Sequence, residues 1–454
     1  MKIVVCGCCK IGKTVIASLI KEKHNVLAVD INPSVVEEMR NSFDIIAITG
    51  NGTEYQTLKD AGADKAELFI SVTESDELNM LACFAAKRMG AKHTVARIRE
   101  LENNAESLNF MKQQLQLSLA VNPERMTAEA IFNLIKLPSA TNVEVFPGNK
   151  LSVIEFQLRQ DSPLNNLSLI DFRRRSDIDA LVCAVERDGK IYIPNGSFVL
   201  KANDKISVIA KKRDTLKIAK ATGLAHKQIR NIMILGASTI AVYLSQMLLA
   251  VRHSVKLIDS DPKVCDDVCE TLPDSATVIK GNGMSQELLI EEGILNTDAF
   301  VTLTGKDEIN VLMSLFATSQ NVPKVITKVK HKEISTLAEN LGLDSLISPR
   351  RIAADLIVKY ARAVENTIGS QIETLYTLMN GQVEVTEFKV LPNFEYASLP
   401  LTEMKLHENV LIAGISRGRD AFIPGGQDSI LPGDKVIIVA SDRRILTLSD
   451  IVAR

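Results

Sequence analysis

Short apolar runs alternate along the first part of the chain with longer amphipathic stretches. The apolar runs are rich in β-branched residues and lie at Ile3–Cys6, Val26–Val29, Ile45–Ile48, Leu68–Val72 and Thr94–Ile98. Between them, apolar residues recur with helical spacing at Gly12–Lys23, Val35–Asn41 and Glu77–Met89. This alternation of strand and helix predicts a doubly wound parallel sheet with helices on both faces.

The pattern then changes to strands joined by tight turns. Predicted strands lie at Leu151–Leu158, Ile178–Glu186, Lys190–Ile193 and Lys205–Ala210, and Asp188-Gly189 and Pro194-Asn195-Gly196 supply turn signals between them. This stretch predicts a smaller, strand-rich α+β module. Many lysines mark the stretch Lys211–Arg230, which we expect to be a solvated helix and turn leading to the next module.

The whole arrangement occurs twice. Gly50-Asn51-Gly52-Thr53 recurs as Gly281-Asn282-Gly283-Met284, and Thr73–Asn79 recurs as Thr304–Asn310, both at an offset of 231 residues. Landmarks in the same order at a nearly constant offset indicate a duplicated unit of about half the chain. We call residues 1–223 the first half and residues 224–454 the second half.

The duplication predicts four domains, with boundaries near Pro138, Leu224 and Ser370. Residues 1–137 and 224–369 are predicted to be Rossmann-like parallel-sheet domains. Residues 138–223 and 370–454 are predicted to be the small α+β modules that follow them. A chain of 454 residues is too long for one core, so several domains also agree with its length.

Composition argues against a nucleic-acid partner. The net charge of −2 creates no basic field, and aromatic residues make up only 4% of the chain, with no Trp. The composition therefore indicates neither a strongly basic face for a phosphate backbone nor a set of aromatic side chains for base stacking.

The sequence also favours a cytoplasmic protein. Met1–Val5 enters a strand pattern without a signal peptide, and the apolar stretch Asn231–Val251 follows the strand–turn–helix pattern of a buried βα unit rather than that of a membrane span. The cysteine count is seven, an odd number that fits a reducing compartment. Cys265 and Cys269 lie one helical turn apart with no further ligands nearby, so we interpret them as two helix thiols and not as a metal pair.

Each half opens with a glycine turn between a strand and a helix. In the first half the turn lies in VVCGCCKIG (Val4–Gly12), where Cys9 replaces the middle glycine of a G-x-G-x-x-G loop. In the second half Gly236 opens the turn, and Ser238 and Ala241 take the second and third positions. Such a turn presents backbone N–H groups and a partial positive charge to an anion, typically a phosphate.

An acidic residue ends the second predicted strand of each half, Asp30 in the first and Asp259 in the second. At this place a carboxylate accepts hydrogen bonds from the hydroxyl groups of a ribose. The alternative for either residue alone is a helix cap or turn residue. Because the residue recurs in both halves, we favour the nucleotide interpretation.

The carboxyl edge of each predicted sheet carries further polar residues, where ligands of such sheets bind. They are Thr73-Glu74 and Thr304-Gly305 after the fourth strand, and Arg97, Arg99, Lys328 and Lys330 along the fifth. One cation of each pair is placed to reach a phosphate, and a surface strand face is the equally weighted alternative. Asp76 is a candidate cap of the helix that follows.

The replaced glycines bear on how well such a loop would bind. Cys9 and Ser238 add side chains where a pyrophosphate would approach the backbone, but both are small and a serine can donate to phosphate. We expect binding to persist with altered strength or preference, with Lys10 compensating electrostatically in the first half. If Cys9→Gly left affinity unchanged, this steric argument would be wrong.

A thiol switch is the rival interpretation of the first loop. Cys8 and Cys9 precede a helix beside Lys10 and Lys13, and such surroundings lower a thiol pKa. Thiol labelling that is slow and insensitive to nucleotide would count against this interpretation.

Taken together, these motifs resemble the TrkA family, the peripheral regulatory subunits of Trk potassium uptake systems. The resemblance rests on the Gly7-to-Gly12 turn with Asp30, on VTESDELNM (Val72–Met80) and ARIR (Ala96–Arg99), and on SLPLTEMKL (Ser398–Leu406) and GRDAFIPGGQDSILPGDKVIIV (Gly418–Val439). It covers nearly the whole chain in four consecutive modules, which look like RCK N-terminal and RCK C-terminal domains, each present twice.

The resemblance implies a non-enzymatic protein, cytoplasmic and peripheral on the inner face of the plasma membrane. It implies docking on a membrane-embedded Trk potassium channel subunit of the TrkH/TrkG type, self-assembly into a ring of RCK units, and control of ion flow by NAD(H) or ATP/ADP. By matching position it assigns cofactor-binding roles in both halves. These residues are Gly7, Cys8, Cys9, Lys10, Ile11, Asp30, Thr73, Glu74 and Arg97, and then Gly236, Ala237, Ser238, Thr239, Ile240, Asp259, Thr304, Gly305 and Lys328.

Two other functions remain alternatives. An NAD-dependent oxidoreductase would need an acid/base residue beside the cofactor. Of the six histidines, only His24 and His253 match in position, and both precede the second strand, away from its ligand-bearing end. A soluble nucleotide or redox sensor that is not tied to a channel is the other alternative, although no helix-turn-helix or basic face stands out. No residue is assigned a catalytic or metal-binding role.

Overall fold

The computed structural model describes residues 1–8, 10–99, 105–146, 151–175, 178–221, 229–365, 372–418, 420–443, 445 and 447–453. Cys9 and the predicted boundary residues Leu224 and Ser370 lie outside them. Within the described residues, four sheets follow one another along the chain, alternately parallel and antiparallel.

The first sheet has six parallel strands in the order β3-β2-β1-β4-β5-β6. Its elements are β1 (Lys2–Cys6), α1 (Lys10–Lys21), β2 (Asn25–Asp30), α2 (Pro33–Ser42), β3 (Ile46–Thr49), α3 (Tyr55–Asp60), β4 (Leu68–Ser71), α4 (Asp76–Met89), β5 (His93–Arg97), α5 (Ala105–Gln114) and β6 (Leu119–Val121). This is the doubly wound order that the sequence predicts. The predicted strands are confirmed to within two residues, and β6 is an addition.

The first small module is an antiparallel sheet in the order β10-β9-β11-β8-β7. It follows α6 (Pro123–Lys136) and consists of β7 (Asn142–Val145), β8 (Leu151–Gln157), α7 (Leu169–Arg175), β9 (Ala180–Arg187), β10 (Lys190–Tyr192), β11 (Lys205–Lys211) and α8 (Thr215–Ala221). A 3₁₀ turn at Lys212–Asp214 joins β11 to α8. Four of these strands are predicted by the sequence, and β7 adds a fifth at the edge.

The second half repeats both architectures. Its parallel part consists of β12 (Asn231–Leu235), α9 (Thr239–Ala250), β13 (Ser254–Asp259), α10 (Pro262–Thr271), β14 (Ala276–Lys280), α11 (Gln286–Glu291), β15 (Ala299–Thr302), α12 (Asp307–Ser319), β16 (Lys324–Lys328), α13 (Lys332–Asn340), β17 (Leu346–Ile347) and α14 (Pro349–Glu365). Its small module consists of β18 (Ile372–Leu378), β19 (Val383–Lys389), β20 (Val410–Arg417), β21 (Asp420–Phe422) and β22 (Lys435–Ser441). The strand orders, β14-β13-β12-β15-β16-β17 and β18-β19-β22-β20-β21, correspond to those of the first half. The predicted duplication is thus present in the fold.

The stretch Asn231–Val251 divides into β12 and α9, as predicted for a βα unit. Within the residues that the structure describes, no helix is both long enough and apolar enough to cross a membrane.

The compact units do not follow the order of the sequence. One unit contains residues 1–127 together with Ser348–Glu365, and the other contains residues 128–347 and 366–454. Helix α14 therefore belongs with the first parallel sheet, although it follows the last strand of the second. Its residues Ala353, Ala354, Ile357, Val358 and Ala361 share one apolar core with α1.

A buried ion pair accompanies this helix. Arg362 of α14 is 2% exposed and donates from Nε to the carboxylate of Glu22, just after α1, at 2.6 Å. Its Nη2 donates to the other oxygen of that carboxylate. The paired geometry fixes the helix by charge as well as by apolar contact.

Within the second compact unit, the two small modules share an apolar core. Leu151, Val153 and Ile209 of the first module lie in one cluster with Val385 and Val439 of the second. The two antiparallel sheets therefore share one core, whereas the strand pattern and the repeat predicted them as two separate modules.

Candidate functional site

The glycine turn of the first half is held tightly against the end of β4. Gly7 has a φ of +89°, which side-chain-bearing residues rarely adopt, and a Cβ at this position would lie 2.8 Å from the backbone N of Thr73. Its N–H donates to the carbonyl of Val29 at 2.9 Å. Only glycine fits this turn without strain.

The second half has the same turn at Gly236, with a φ of +98° and a Cβ position 2.8 Å from the N of Thr304. The third loop position differs between the halves. A Cβ at Gly12 would lie 1.8 Å from the carbonyl oxygen of Gly7, whereas Ala241 carries such a carbon in the second half. The two turns therefore differ in local shape.

Both predicted ribose-binding carboxylates hold the loop in place. Oδ2 of Asp30 accepts the N–H of Cys8 at 2.7 Å, and Oδ1 accepts the N–H of Asn32 at 2.9 Å. Asp259 accepts from Ala237 at 2.8 Å and from Asp261 at 3.0 Å. Each carboxylate oxygen has a second lone pair that remains suited to a hydroxyl donor.

The hydrogen bonds of Asp30 and Asp259 bear on the alternative interpretation that each is a helix cap or a turn residue. The N-caps of the following helices are Asn32 and Asp261, so neither Asp30 nor Asp259 is the helix cap. Each carboxylate does hold the turn that follows its strand, so the description as a turn residue applies to both.

A fully buried asparagine fixes the Thr73-Glu74 loop. Oδ1 of Asn79 accepts both the N–H and the hydroxyl of Thr73 at 2.7 Å, and its Nδ2 donates to the carbonyls of Thr73 at 3.2 Å and Arg97 at 3.0 Å. Asn79 is 0% exposed. One side chain thus joins the loop after β4, the helix α4 and the end of β5.

The second half repeats this network with Asn310, which is also 0% exposed. Its Oδ1 accepts the N–H of Thr304 at 3.0 Å and the hydroxyl at 2.7 Å, and its Nδ2 donates to the carbonyl of Lys328 at 3.0 Å. Neither asparagine was among the residues predicted to form the site. Their recurrence within the repeated stretches Thr73–Asn79 and Thr304–Asn310 was the available signal.

Helix α4 begins differently from the sequence-based expectation. The N-cap is Ser75, whose side chain accepts the N–H of Leu78 at 3.2 Å, so the proposed capping role of Asp76 is wrong. Asp76 instead accepts the backbone N–H of Arg99 at 2.5 Å. The guanidinium of Arg99 also donates to the carbonyl of Glu74. Arg99 therefore holds the Thr73-Glu74 loop through hydrogen bonds to Asp76 and to the carbonyl of Glu74.

The two cations carried over from the fifth strand occupy different surroundings. Nη2 of Arg97 donates to Oε1 of Glu124 at 2.7 Å. Lys328 is buried, and its Nζ donates to the carbonyl of Leu303 at 2.7 Å. Neither side chain lies on an open strand face, so that alternative is wrong for both.

A histidine that the sequence analysis did not single out lies at the edge of the second sheet. Nδ1 of His331 lies 2.8 Å from Oδ2 of Asp307, and this oxygen also accepts the N–H of Lys330 at 2.7 Å. Within the described residues, Oδ1 of Asp307 is buried and has no hydrogen-bond partner. Asp307 thus has an acceptor available for a further donor.

Other loop atoms also bear on ligand binding. Within the described part of the chain, the buried Oγ of Ser238 at the start of α9 has no hydrogen-bond partner, and neither has Nε of Arg97. An unpaired buried hydroxyl at a helix N-terminus suits a phosphate oxygen. Lys10 and Ile11 begin α1, and Thr239 and Ile240 begin α9, so their backbone N–H groups lie in the first helical turn.

The thiol interpretation loses support from the two described cysteines nearest the loop. Cys8 is 1% exposed and its Sγ donates to the carbonyl of Val29. Burial raises the pKa of Cys6 to about 12, so that thiol stays protonated and weakly nucleophilic. Cys9 lies outside the described residues. No group of three or more potential metal ligands occurs in the described ranges, and this includes Cys265 and Cys269.

Two domain families match the chain in tandem. The TrkA-N domain matches residues 3–122 and 232–349, and the TrkA-C domain matches residues 153–223 and 385–453. A "Trk system potassium uptake protein TrkA homolog" of Archaeoglobus fulgidus is 29% identical over 425 residues, covering 93% of each chain. A "Trk system potassium uptake protein TrkA" of Haemophilus influenzae is 27% identical over 429 residues, covering 93% of this chain and 92% of the relative.

Solved structures show the same fold. The crystal structure of the GsuK RCK domain matches with a TM-score of 0.64 at 15% identity, covering 97% of this chain and 92% of that chain. The GsuK channel bound to NAD matches with a TM-score of 0.64 at 16% identity, covering 97% of this chain and 77% of that chain. At such identities the likeness concerns the fold, and the predicted fold class is confirmed.

Proposed function

The chain belongs to the TrkA family, whose TrkA-N and TrkA-C domains it carries in tandem, and on that premise we propose that it regulates a Trk-type potassium uptake system in response to a bound nucleotide. The single observation that carries this proposal is a glycine turn hydrogen-bonded in each half to the carboxylate that ends the second strand. Relatives named as Trk system potassium uptake proteins cover the chain almost from end to end, which supports the transport role.

The residues present fit a nucleotide in chemical terms. Gly7 and Gly236 leave no room for a side chain, Ser238 has an unpaired hydroxyl in the turn, and Arg97 has a buried donor without a partner within the described residues. A bound NAD(H) or ATP/ADP would supply phosphate oxygens for the loop and ribose hydroxyls for Asp30 and Asp259. The TrkA-N residues carried over by position, in both halves, are the proposed contacts.

Regulation follows from differential affinity. A nucleotide changes the balance between two conformations only to the extent that it binds one of them more tightly. A coupling of about 1–3 kcal/mol is enough for a several-fold to hundredfold change in activity. Asn79 joins the Thr73-Glu74 loop to α4 and β5, so a ligand that moves this loop also displaces α4 and the end of β5.

The proposed partner is a membrane-embedded Trk potassium channel subunit of the TrkH/TrkG type, and the proposed place of action is the cytoplasmic face of the membrane. The fold shared with the RCK domain of a channel supports an assembly of RCK units beneath an ion pathway. We include self-assembly into a ring in the proposal.

An oxidoreductase is the second candidate, because the His331–Asp307 pair lies at the ligand-bearing edge of the second sheet. A histidine held by a carboxylate is a suitable acid/base. Incubation with NADH and candidate carbonyl substrates tests it: NADH consumption that is lost in His331→Gln would favour the enzyme, and a stable NADH signal would favour the regulator.

Potassium uptake by cells that lack their own TrkA-type subunit tests the regulatory proposal. The intact chain is expected to restore growth at limiting potassium, and Asp30→Ala with Asp259→Ala is expected to abolish this while the protein stays folded by circular dichroism. The exposed Glu37→Gln is the control and should behave as the intact chain does. Restored uptake with both carboxylates removed would contradict the proposal.

A further inference from the structure

The ligand loop of the first half is connected to one particular helix by a chain of side-chain bonds. Asn79 holds the Thr73 backbone with its carbonyl oxygen and the Arg97 carbonyl with its amide nitrogen. The guanidinium of Arg97 in turn donates to Glu124 at 2.7 Å. Four residues thus connect the end of β4 to the first turn of α6.

Helix α6 is the exit from the first parallel sheet. It begins at Pro123, and the first compact unit ends at Thr127, so the rest of the helix from Ala128 belongs to the second compact unit. The backbone hydrogen bonds of a helix make it stiff, so a displacement of its first turn displaces the turns that follow. Glu124 lies in that first turn.

The Arg97–Glu124 pair is incompletely satisfied. Only one bond joins the two side chains, and within the described residues Nε of Arg97 and Oε2 of Glu124 are buried without partners. Buried polar groups normally find partners, so the unpaired Nε and Oε2 leave each side chain with capacity for a further hydrogen bond. Arg97 can bind a second anion through Nε while Nη2 stays on Glu124.

The second half has the loop connection but not the charge pair. Asn310 holds Thr304 and the carbonyl of Lys328 as Asn79 does in the first half. The residue that matches Glu124 in sequence is Arg350, and a lysine and an arginine cannot form an ion pair. The connection from loop to exit helix is therefore built differently in the two halves.

We propose that Asn79, Arg97 and Glu124 couple the nucleotide state of the first half to helix α6, so that the first half transmits the signal. In this role Asn79 and Glu124 are positioning residues that act through Arg97. The inference rests on the proposed nucleotide function and names the half and the helix through which that function would act.

Hydrogen exchange of the α6 peptide in the full-length chain tests this proposal, with and without saturating NADH or ATP. In the intact chain, nucleotide is expected to slow exchange across residues 124–136 by about fivefold or more. Glu124→Gln is expected to bind the same nucleotide with a Kd within about threefold of the intact chain and to lose the slowing at α6. Arg350→Gln, at the position that matches Glu124 in the second half of the sequence, is the control and should keep the slowing.

Three results would overturn the proposal. One is slowing at α6 that survives in Glu124→Gln. Another is an intact chain that binds nucleotide with no change at α6. A third is a Kd for Glu124→Gln raised by more than about tenfold, which would place Glu124 in the binding site itself rather than beyond it. Failure of the underlying function is seen separately, as an intact chain that binds no nucleotide in the same titration.

Discussion

Asp30 and Asp259 hold the backbone of their loops in place without a ligand. Each carboxylate accepts two backbone N–H groups, one from the glycine turn and one from the turn before the next helix. A carboxylate fixed in this way loses little further freedom when a ribose binds, so binding costs less entropy. The same bonds mean that removing the carboxylate loosens the loop as well as a ligand contact.

Replacing the buried Asn79 is expected to lower the stability of the protein. Asn79→Ala leaves the Thr73 N–H and the Arg97 carbonyl without their partner in a buried place, and each such loss costs about 1–3 kcal/mol. We expect the urea midpoint to fall clearly, and to fall similarly for Asn310→Ala. Alanine at the exposed Glu77 of the same helix should leave it almost unchanged. Equal midpoints for all three variants would show that the network does not stabilise the fold.

Residue positions were predictable where a turn requires glycine or where an acidic residue recurs at the end of the second strand. Gly7, Gly236, Asp30 and Asp259 lie where the sequence analysis expected them. Ser75 was missed as the cap because the adjacent Asp76 is an equally good capping residue in isolation. Only the tertiary bond from Arg99 to Asp76 distinguishes the two, and local sequence does not contain it.

At the scale of elements, helix α14 shows that hydrophobic periodicity predicts an apolar face without predicting the sheet against which it packs. The spacing of Ala354, Ile357, Val358 and Ala361 predicts an apolar face. It does not predict which sheet that face covers, because any apolar surface of suitable shape satisfies it equally. The structure joins this face to α1 of the first half, so the compact units cut across sequence order.

The Glu22–Arg362 pair gives a prediction about this helix. Glu22→Gln leaves the buried Arg362 guanidinium without its carboxylate, and breaking a buried pair from one side costs about 3 kcal/mol or more. Native-state hydrogen exchange should report a lower opening free energy for the amides of α14. Loss of the exposed Arg40–Glu37 pair by Glu37→Gln should change the exchange by less than about 0.5 kcal/mol. Unchanged exchange in Glu22→Gln would mean that apolar contacts alone hold α14.

Strand β16 carries a prediction about pH. Lys324 is buried and donates to the carbonyl of Ala140 at 2.6 Å and to Oγ of Ser345 at 2.8 Å. Burial lowers the pKa of Lys324 to about 8, against an ordinary value near 10.5 that the unfolded chain keeps. Between these values the unfolded chain binds more protons, so stability contributed by this site rises with pH from about 8 to 10.5.

Thermal unfolding of the intact chain and of Lys324→Met from pH 7 to pH 10 checks this sign. The difference in Tm, intact minus variant, should be constant below pH 8 and should increase above it. Because other groups titrate equally in both proteins, only the difference reports Lys324. A difference that is flat or falls with pH would show that the ammonium is not destabilised by its surroundings.

At the scale of the whole molecule, the two halves share a fold and part of the predicted site, but not all of its residues. The glycine turns, the carboxylates and the buried asparagines recur. The cation at the end of the fifth strand, its partner and the histidine at the second edge do not. We therefore expect two nucleotide sites per chain with unequal affinity.

Equilibrium binding of NADH, NAD, ATP and ADP to the purified chain, with stoichiometry per chain, tests whether both glycine turns bind a nucleotide. We expect two sites of different affinity, of which Asp30→Ala removes one and Asp259→Ala the other. Saturation at zero for all four nucleotides, in a protein that is folded by circular dichroism, would contradict this expectation and would leave the glycine turns as structural features without a ligand.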